Sequence, residues 1–172
     1  MWRTGAAGPS LNESERWSCY AVNTMDVQPD FRELLALLNA HKVEYLIVGG
    51  YALAFHGAPR FTGDIDVFVR PESANASRVI EALAAFGFQF RDLTAADFEK
   101  PNNVVQLGVP PVRIDLITSL SGVSWEEAED AKEPGVFGDV PVCYIGRREY
   151  IKNKRSSGRK KDLADIEALG ES

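Results

Sequence analysis

Sulfur and histidine are scarce in this chain. Its 172 residues include only two cysteines, Cys19 and Cys143, far apart and without the paired spacing of a metal knuckle. That excludes a disulfide framework or a zinc ribbon, and leads us to expect free thiols in a reducing cytoplasm. The two histidines, His41 and His56, have no partner at ligand spacing and read as structural. No apolar run approaches the length that spans a membrane, and the apolar core of a signal peptide is missing. Excess positive charge is lacking too. The formal net charge is −6, which argues against a protein that coats nucleic acid generally.

That charge is unevenly spread. Residues 147–161 hold eight basic side chains and one acidic, a net +7, so the remainder carries −13. With 45% apolar and 26% charged residues, the chain has the composition of one soluble core. Residues 1–24 show no periodicity and read as a disordered tail, with the working domain expected over 25–172 and starting at Met25. Phe31, Leu34, Leu35 and Leu38 then fall at helical spacing behind Pro29. A later helix carries Val79, Ile80, Leu83 and Phe86, with Ser73 or Asn75 as its cap and Gly87 at its end.

Further along, Phe88 to Phe90 alternates as a short strand would, and Ala95 to Glu99 is a helical turn. Val104 to Leu107 and Val112 to Ile117 are β-rich and joined through Pro110-Pro111. Ser124-Trp125-Glu126-Glu127 fits a capping box for a helix to Ala131, with Trp125 anchoring it in the core. Val140 to Ile145 reads as a strand, with Pro141 favouring an edge. Arg148 to Lys154 and Lys160 to Leu169 read as helices broken at Ser156-Ser157-Gly158. The order of elements predicts an α/β (α+β) domain with one mixed sheet flanked by helices.

One stretch organises the rest. Tyr45-Leu46-Ile47-Val48 is a run of β-formers that stops at Gly49-Gly50, where the chain can turn sharply into a helix. After a turn-rich link, Asp64-Ile65-Asp66 leads into Val67-Phe68-Val69. Strand alternation puts Asp64 and Asp66 on one face. Two like charges about 5 Å apart repel by roughly 3 kcal/mol at an effective dielectric of about 20. A cation is expected between them.

Gly-Gly at a strand end, then Asp-x-Asp about a dozen residues later, resembles the DNA polymerase beta-like nucleotidyltransferases. Val112-Arg113-Ile114-Asp115-Leu116-Ile117 supplies a candidate for that family's third carboxylate. Lys152, then Arg159-Lys160-Lys161-Asp162 and Asp165, is similar to the C-terminal pattern of the small bacterial nucleotidyltransferases related to the abortive-infection toxin of type IV toxin–antitoxin systems. The resemblance spans about residues 29–169.

The resemblance implies two Mg²⁺ ions on Asp64, Asp66 and Asp115, which would be both metal ligands and catalytic residues. It implies an NTP whose phosphates meet the backbone of Gly49 and Gly50. Arg60 and Thr62 in the link, and Lys152, Arg159 and Lys160 in the basic segment, are the other nucleotide-binding candidates. Of the basic groups, Lys152, Arg159 and Lys160 are expected to face the active site, and Lys154 and Arg155 the acceptor or solvent, because residues two apart cannot share a helix face. The acceptor hydroxyl is expected on RNA or protein rather than on an antibiotic, with a cognate antitoxin or toxin as partner and no membrane.

Each piece has a plainer reading. Asp-x-Asp can cap a sheet end, Gly-Gly can be only a turn, and Arg113 and Asp115 can form a surface ion pair. The basic segment can be a solvated pair of helices. A non-catalytic, antitoxin-like binding module that keeps the fold is the alternative to an enzyme.

Overall fold

A computed structural model describes residues 27–88 and 91–171. The expectations for residues 1–24, the start at Met25, Cys19, and the Gln89-Phe90 part of a short strand lie outside these. Helix α1 (Pro29–Ala40) opens the described chain with Pro29 in its first turn, and Phe31, Leu34, Leu35 and Leu38 are all buried. Burying that stripe holds the helix to the sheet, since propensity alone rarely does.

Strands β1 (Tyr45–Val48) and β2 (Asp64–Val69) flank helix α2 (Gly49–Phe55). Then come α3 (Ser73–Phe86), α4 (Ala95–Glu99), and the hairpin strands β3 (Val104–Val109) and β4 (Val112–Ile117). Helix α5 (Trp125–Asp130), strands β5 (Glu133–Phe137) and β6 (Val140–Tyr144), and helices α6 (Arg147–Ser157) and α7 (Lys160–Ala168) complete the order.

The six strands form one mixed sheet, ordered β3-β4-β2-β1-β6-β5. Pairing is antiparallel for β1–β2, β3–β4 and β5–β6, and parallel for β2–β4 and β1–β6. All four residues of β1 are buried, as a strand with neighbours on both edges and packing on both faces requires. Helix α1 packs on α3, α3 on α4, and α6 on α7. Trp125 is buried edge-on against Phe68, ring centroids 5.1 Å apart, as the helix anchor it was expected to be. The Ser124/Glu127 capping box forms.

Three local expectations are corrected. The cap of α3 is Glu72, whose carboxylate accepts from the amides of Ala74 and Asn75. Asn75 is buried instead and ties α3 to the start of β1, bonding the Glu44 amide and the Glu44 and Arg70 carbonyls. Pro141 does not lie on an edge strand, because β5 covers β6 on the far side. The proline is tolerated because β1 pairs with β6 only at Ile47–Tyr144, which leaves the Pro141 end without a β1 neighbour. Strand β5 itself was not foreseen; with Pro134 and Gly135 it lacks a strand composition. Phe88 lies outside any strand.

Candidate active site

Strand register builds the site. In the parallel β2–β4 pair, Asp64 stands opposite Arg113 and Asp66 opposite Asp115. Paired residues share a sheet face, so a rectangle of three carboxylates and one guanidinium projects from one side. One oxygen from each of Asp64, Asp66 and Asp115 lies within 4.8 Å of the others. On the next strand Gln106 is paired with Asp115, and it lines the same cleft.

Arg113 partly neutralises this cluster. Its Nη2 donates to Asp64 Oδ2 at 2.8 Å and to Asp115 Oδ2 at 3.0 Å. Its Nε is 2.9 Å from Asp115 Oδ1, close enough for an ion pair, but the alignment is not that of a hydrogen bond. Both atoms are therefore buried without a hydrogen-bond partner. The ion pair foreseen as a plainer reading exists, but inside the cleft and shared by two carboxylates.

The three carboxylates differ in electrostatics. Burial pushes the Asp64 carboxyl up, but the Thr62 hydroxyl, 2.5 Å from its Oδ1, and the Arg113 charge outweigh that and hold it below its ordinary value. Asp66 goes the other way. Burial first, then the charges of Asp64 and Asp115, push it up to about 6, and the opposing charges of Lys154 and Lys161 do not offset this. No hydrogen bond or ion pair reaches its carboxylate from the described residues. A repelled carboxylate, an orphaned Asp115 oxygen and a set of hard oxygen donors together fit a hard divalent cation.

Gly49 makes room for Asp66. Its φ is +64°, and a Cβ there would lie 2.0 Å from Asp66 Oδ2 and 2.7 Å from its Cγ. Left-handed backbone costs an ordinary residue about 1–2 kcal/mol before any collision is counted. A Cβ on Gly50 would press on Thr62 at 3.0 Å. Gly49→Ala is therefore expected to lower the melting temperature by several degrees and to displace the Asp66 carboxylate. A thermal melt checks this; an unchanged melting temperature would show that the turn relaxes freely.

Across the cleft, of about 650 Å³, stands a cationic wall from α6, α7 and the link before β2. Lys154 is buried, its Nζ 2.8 Å from Asp162 Oδ1 and 3.4 Å from Asp165 Oδ2, and 5.2 Å from the Tyr150 ring centroid. Arg159 donates to Asp162 at 2.6 Å, and the Ser157 hydroxyl donates to the same carboxylate. Burial opposes ionisation of Asp162, yet Arg159, Lys154 and Ser157 together hold it well below the usual carboxylate range. Arg60 grips Asp165 with Nε at 2.8 Å and Nη2 at 3.2 Å, which pins the link before β2 onto α7. The pair Asp162 and Asp165 holds the basic groups in place.

The sequence-predicted residues divide accordingly. Asp64, Asp66, Asp115, Gly49, Gly50, Arg60, Thr62 and Arg159 all line the cleft. Lys152 does not. It points outward to Glu127 at 2.6 Å, and Lys154 takes the inward position. The split between the two lysines is real but reversed, because Lys154 follows the buried Tyr150 and Ile151 at i+4 and i+3 while Lys152 lies off that stripe. Lys160 is likewise replaced at the cleft by Lys161. Gln106, Asn153, Ser156 and Ser157, also in the lining, carried no motif signal. His56 bonds the Ile145 carbonyl at 2.8 Å, a structural role as expected.

Known proteins can now be set beside this geometry. No curated protein matches the chain. A Thermotoga maritima protein described as a nucleotidyltransferase superimposes with a TM-score of 0.53 at 14% identity, covering 80% of this chain and 88% of that one. ANT(2″)-Ia in complex with adenylyl-2″-tobramycin gives 0.52 at 14% identity, over 81% and 84% of the two chains. The lincomycin-bound lincosamide adenylyltransferase LnuA gives 0.50 at 14% identity, over 85% and 98%. At such identities these likenesses show the fold, and the six-stranded mixed sheet is that of the nucleotidyltransferases. Among the described residues no helix is long and apolar enough to cross a membrane. Residues 33–130 match the family described as nucleotidyl transferase AbiEii toxin, type IV TA system, a span that includes Gly49-Gly50, Asp64, Asp66 and Asp115 and ends before α6. With more than half its length inside that match, the chain belongs to the AbiEii nucleotidyltransferase toxin family of type IV toxin–antitoxin systems, and it is a nucleotidyltransferase.

Proposed function

We propose that the cleft moves a nucleoside monophosphate from an NTP to an acceptor hydroxyl, with two Mg²⁺ ions held by Asp64, Asp66 and Asp115. The observation that carries this reading is the carboxylate trio, all within 4.8 Å, facing a cationic wall. Bound there, the metal would neutralise phosphate charge and acidify the acceptor hydroxyl. The acceptor oxygen bonds to the α-phosphorus as the bond to the β-phosphate oxygen breaks. Pyrophosphate leaves, and the hydroxyl proton is lost.

The protein's part is positioning and charge neutralisation. Lys154, Arg159 and Lys161 set positive charge opposite the carboxylates, where a triphosphate lies. Gly49 and Gly50 keep the start of α2 open to its β- and γ-phosphates. Asp64 and Asp66 serve the nucleotide side, and Asp115, whose Oδ1 accepts no hydrogen bond, the acceptor side.

Five cationic side chains and three carboxylates line the cleft. Behind the wall Asp162 and Asp165 pair with Arg60, Lys154 and Arg159, so the cleft as a whole carries little net charge of either sign. We read the acceptor as RNA or protein, and the chain as the toxin of a pair whose antitoxin is its partner, in line with the family. Incubating the chain with each labelled NTP, Mg²⁺ and separate RNA and protein fractions tests this. One fraction is expected to retain label, lost on chelation and in Asp115→Asn, which should impair turnover more than NTP binding. Label transfer that survives both chelation and Asp115→Asn would sink the reading.

A further inference from the structure

Phe61 stands alone among the described aromatics: it is 92% exposed, and every other described ring is buried or half-buried. A phenyl ring held in water forgoes the burial energy that orders the rest of the core. Its placement is not loose. On one side Arg60 is clamped to Asp165 at 2.8 and 3.2 Å. On the other the Thr62 hydroxyl bonds Asp64 Oδ1 at 2.5 Å. Beyond that, a Cβ on Gly63 would meet the Pro111 carbonyl oxygen at 2.5 Å, so the link runs hard against the β3–β4 turn. Residue 61 is thus carried in the chain between Arg60, tied to the cationic wall, and Thr62, tied to the carboxylates; both neighbours line the cleft, and Phe61 itself is outside the lining.

The cleft beneath offers no such ring. Its lining is charged and polar for the most part, with Val48, Val104, Ile117 and Leu120 as the larger apolar side chains and not one aromatic. A nucleotide seated by its phosphates still has a planar base to place, and base–aromatic stacking tolerates any base because each has a π-face. We propose that Phe61 is a nucleobase-stacking platform at the mouth of the cleft. The proposal rests on the nucleotidyl-transfer reading and deepens it. The base can come from the donor NTP or from the unpaired end of an RNA acceptor, and the chemistry recognised is the same.

The test uses the full chain and its Phe61→Ala, Phe61→Leu and Phe61→Trp variants. Equilibrium binding is measured with Mg²⁺ for three probes: α,β-methylene ATP, a short single-stranded oligoribonucleotide, and inorganic triphosphate. Phe61→Ala is expected to weaken one of the first two by roughly 5- to 150-fold, the range for a lost stack. Phe61→Leu should lose as much, Phe61→Trp should bind at least as well as wild type, and triphosphate binding should not move in any variant. Loss with α,β-methylene ATP assigns the platform to the donor base, and loss with the oligoribonucleotide assigns it to the acceptor. Full binding by Phe61→Leu, no loss with either probe in Phe61→Ala, or a parallel loss of triphosphate would overturn stacking. Failure of the underlying reading looks different: triphosphate binding would then be indifferent to Asp64→Asn and Asp66→Asn.

Discussion

Asparagine at position 66 is expected to lower nucleotidyl transfer by on the order of 10³-fold or more, the scale of a single charge-stabilising group in phosphoryl transfer. The same change should stabilise the metal-free protein at neutral pH. The carboxyl of Asp66 is raised from 3.8 to about 6 by burial and by the charges of Asp64 and Asp115. A raised acid favours the fold most fully below its unfolded value, near pH 3.8, and that contribution is lost as pH climbs through about 6. At pH 7 the ionised carboxylate therefore costs roughly 3 kcal/mol, from a shift of about two units. Asparagine is nearly isosteric and carries no charge, so most of that cost should vanish.

Asp64 is shifted the opposite way and contributes stability above its own unfolded value, so the wild-type pH curve mixes both signs. The difference between wild type and Asp66→Asn isolates the one group. Melts between pH 4 and 8 in chelator should show the variant gaining on wild type as pH rises through 6. Added Mg²⁺ should close the gap by stabilising wild type alone. Transfer within about tenfold of wild type, or a variant less stable than wild type in chelator at pH 7, would defeat the assignment.

What the sequence reveals here follows from how local each feature is. The strand β1 with its stop at Gly49-Gly50, and the strand β2 opening on Asp64 and Asp66, depend on alternation and turn chemistry within a dozen residues. So does the helix stripe Phe31, Leu34, Leu35 and Leu38. Asp115 is a weaker case: its residue type and strand are legible, but its place opposite Asp66 depends on a parallel register between strands with two helices and a strand between them in sequence.

Strand β5 escapes because its pairing with β6, rather than its composition, makes it a strand. The Glu72 cap is unexpected because Asn75, the better cap by type, is taken into the core to satisfy the Glu44 backbone. Nothing in the sequence shows that Gly49 lies against Asp66, yet a Cβ there would fall 2.0 Å from Asp66 Oδ2, the strongest steric reason for a glycine among the cleft-lining residues.

The two lysines of α6 part company under alanine replacement. Lys154→Ala is expected to destabilise the fold by about 3 kcal/mol, at the low end for one partner of a buried ion pair. The low end applies because Asp162 keeps Arg159 and Ser157, and Asp165 keeps Arg60. That corresponds to a fall in melting temperature of roughly 6–12 °C for a chain of this size. Transfer should fall with it, for two reasons. Lys154 is one of the cations that lower the Asp66 carboxyl, and it lines the cleft proposed to take the triphosphate. Its Asp162 and Asp165 partners also hold α7, and with it Arg159 and Arg60, in position.

Lys152→Ala should leave both the melting temperature and kcat/KM for NTP unchanged. Its partner Glu127 is an exposed carboxylate, and the pair lies outside the cleft. Methionine at position 154 separates charge from packing. It keeps the stem against Tyr150 but not the ammonium, so it should recover little of the lost stability and none of the lost transfer. Equal losses in Lys152→Ala and Lys154→Ala, or full transfer by Lys154→Met, would show that the cationic wall does not act through Lys154.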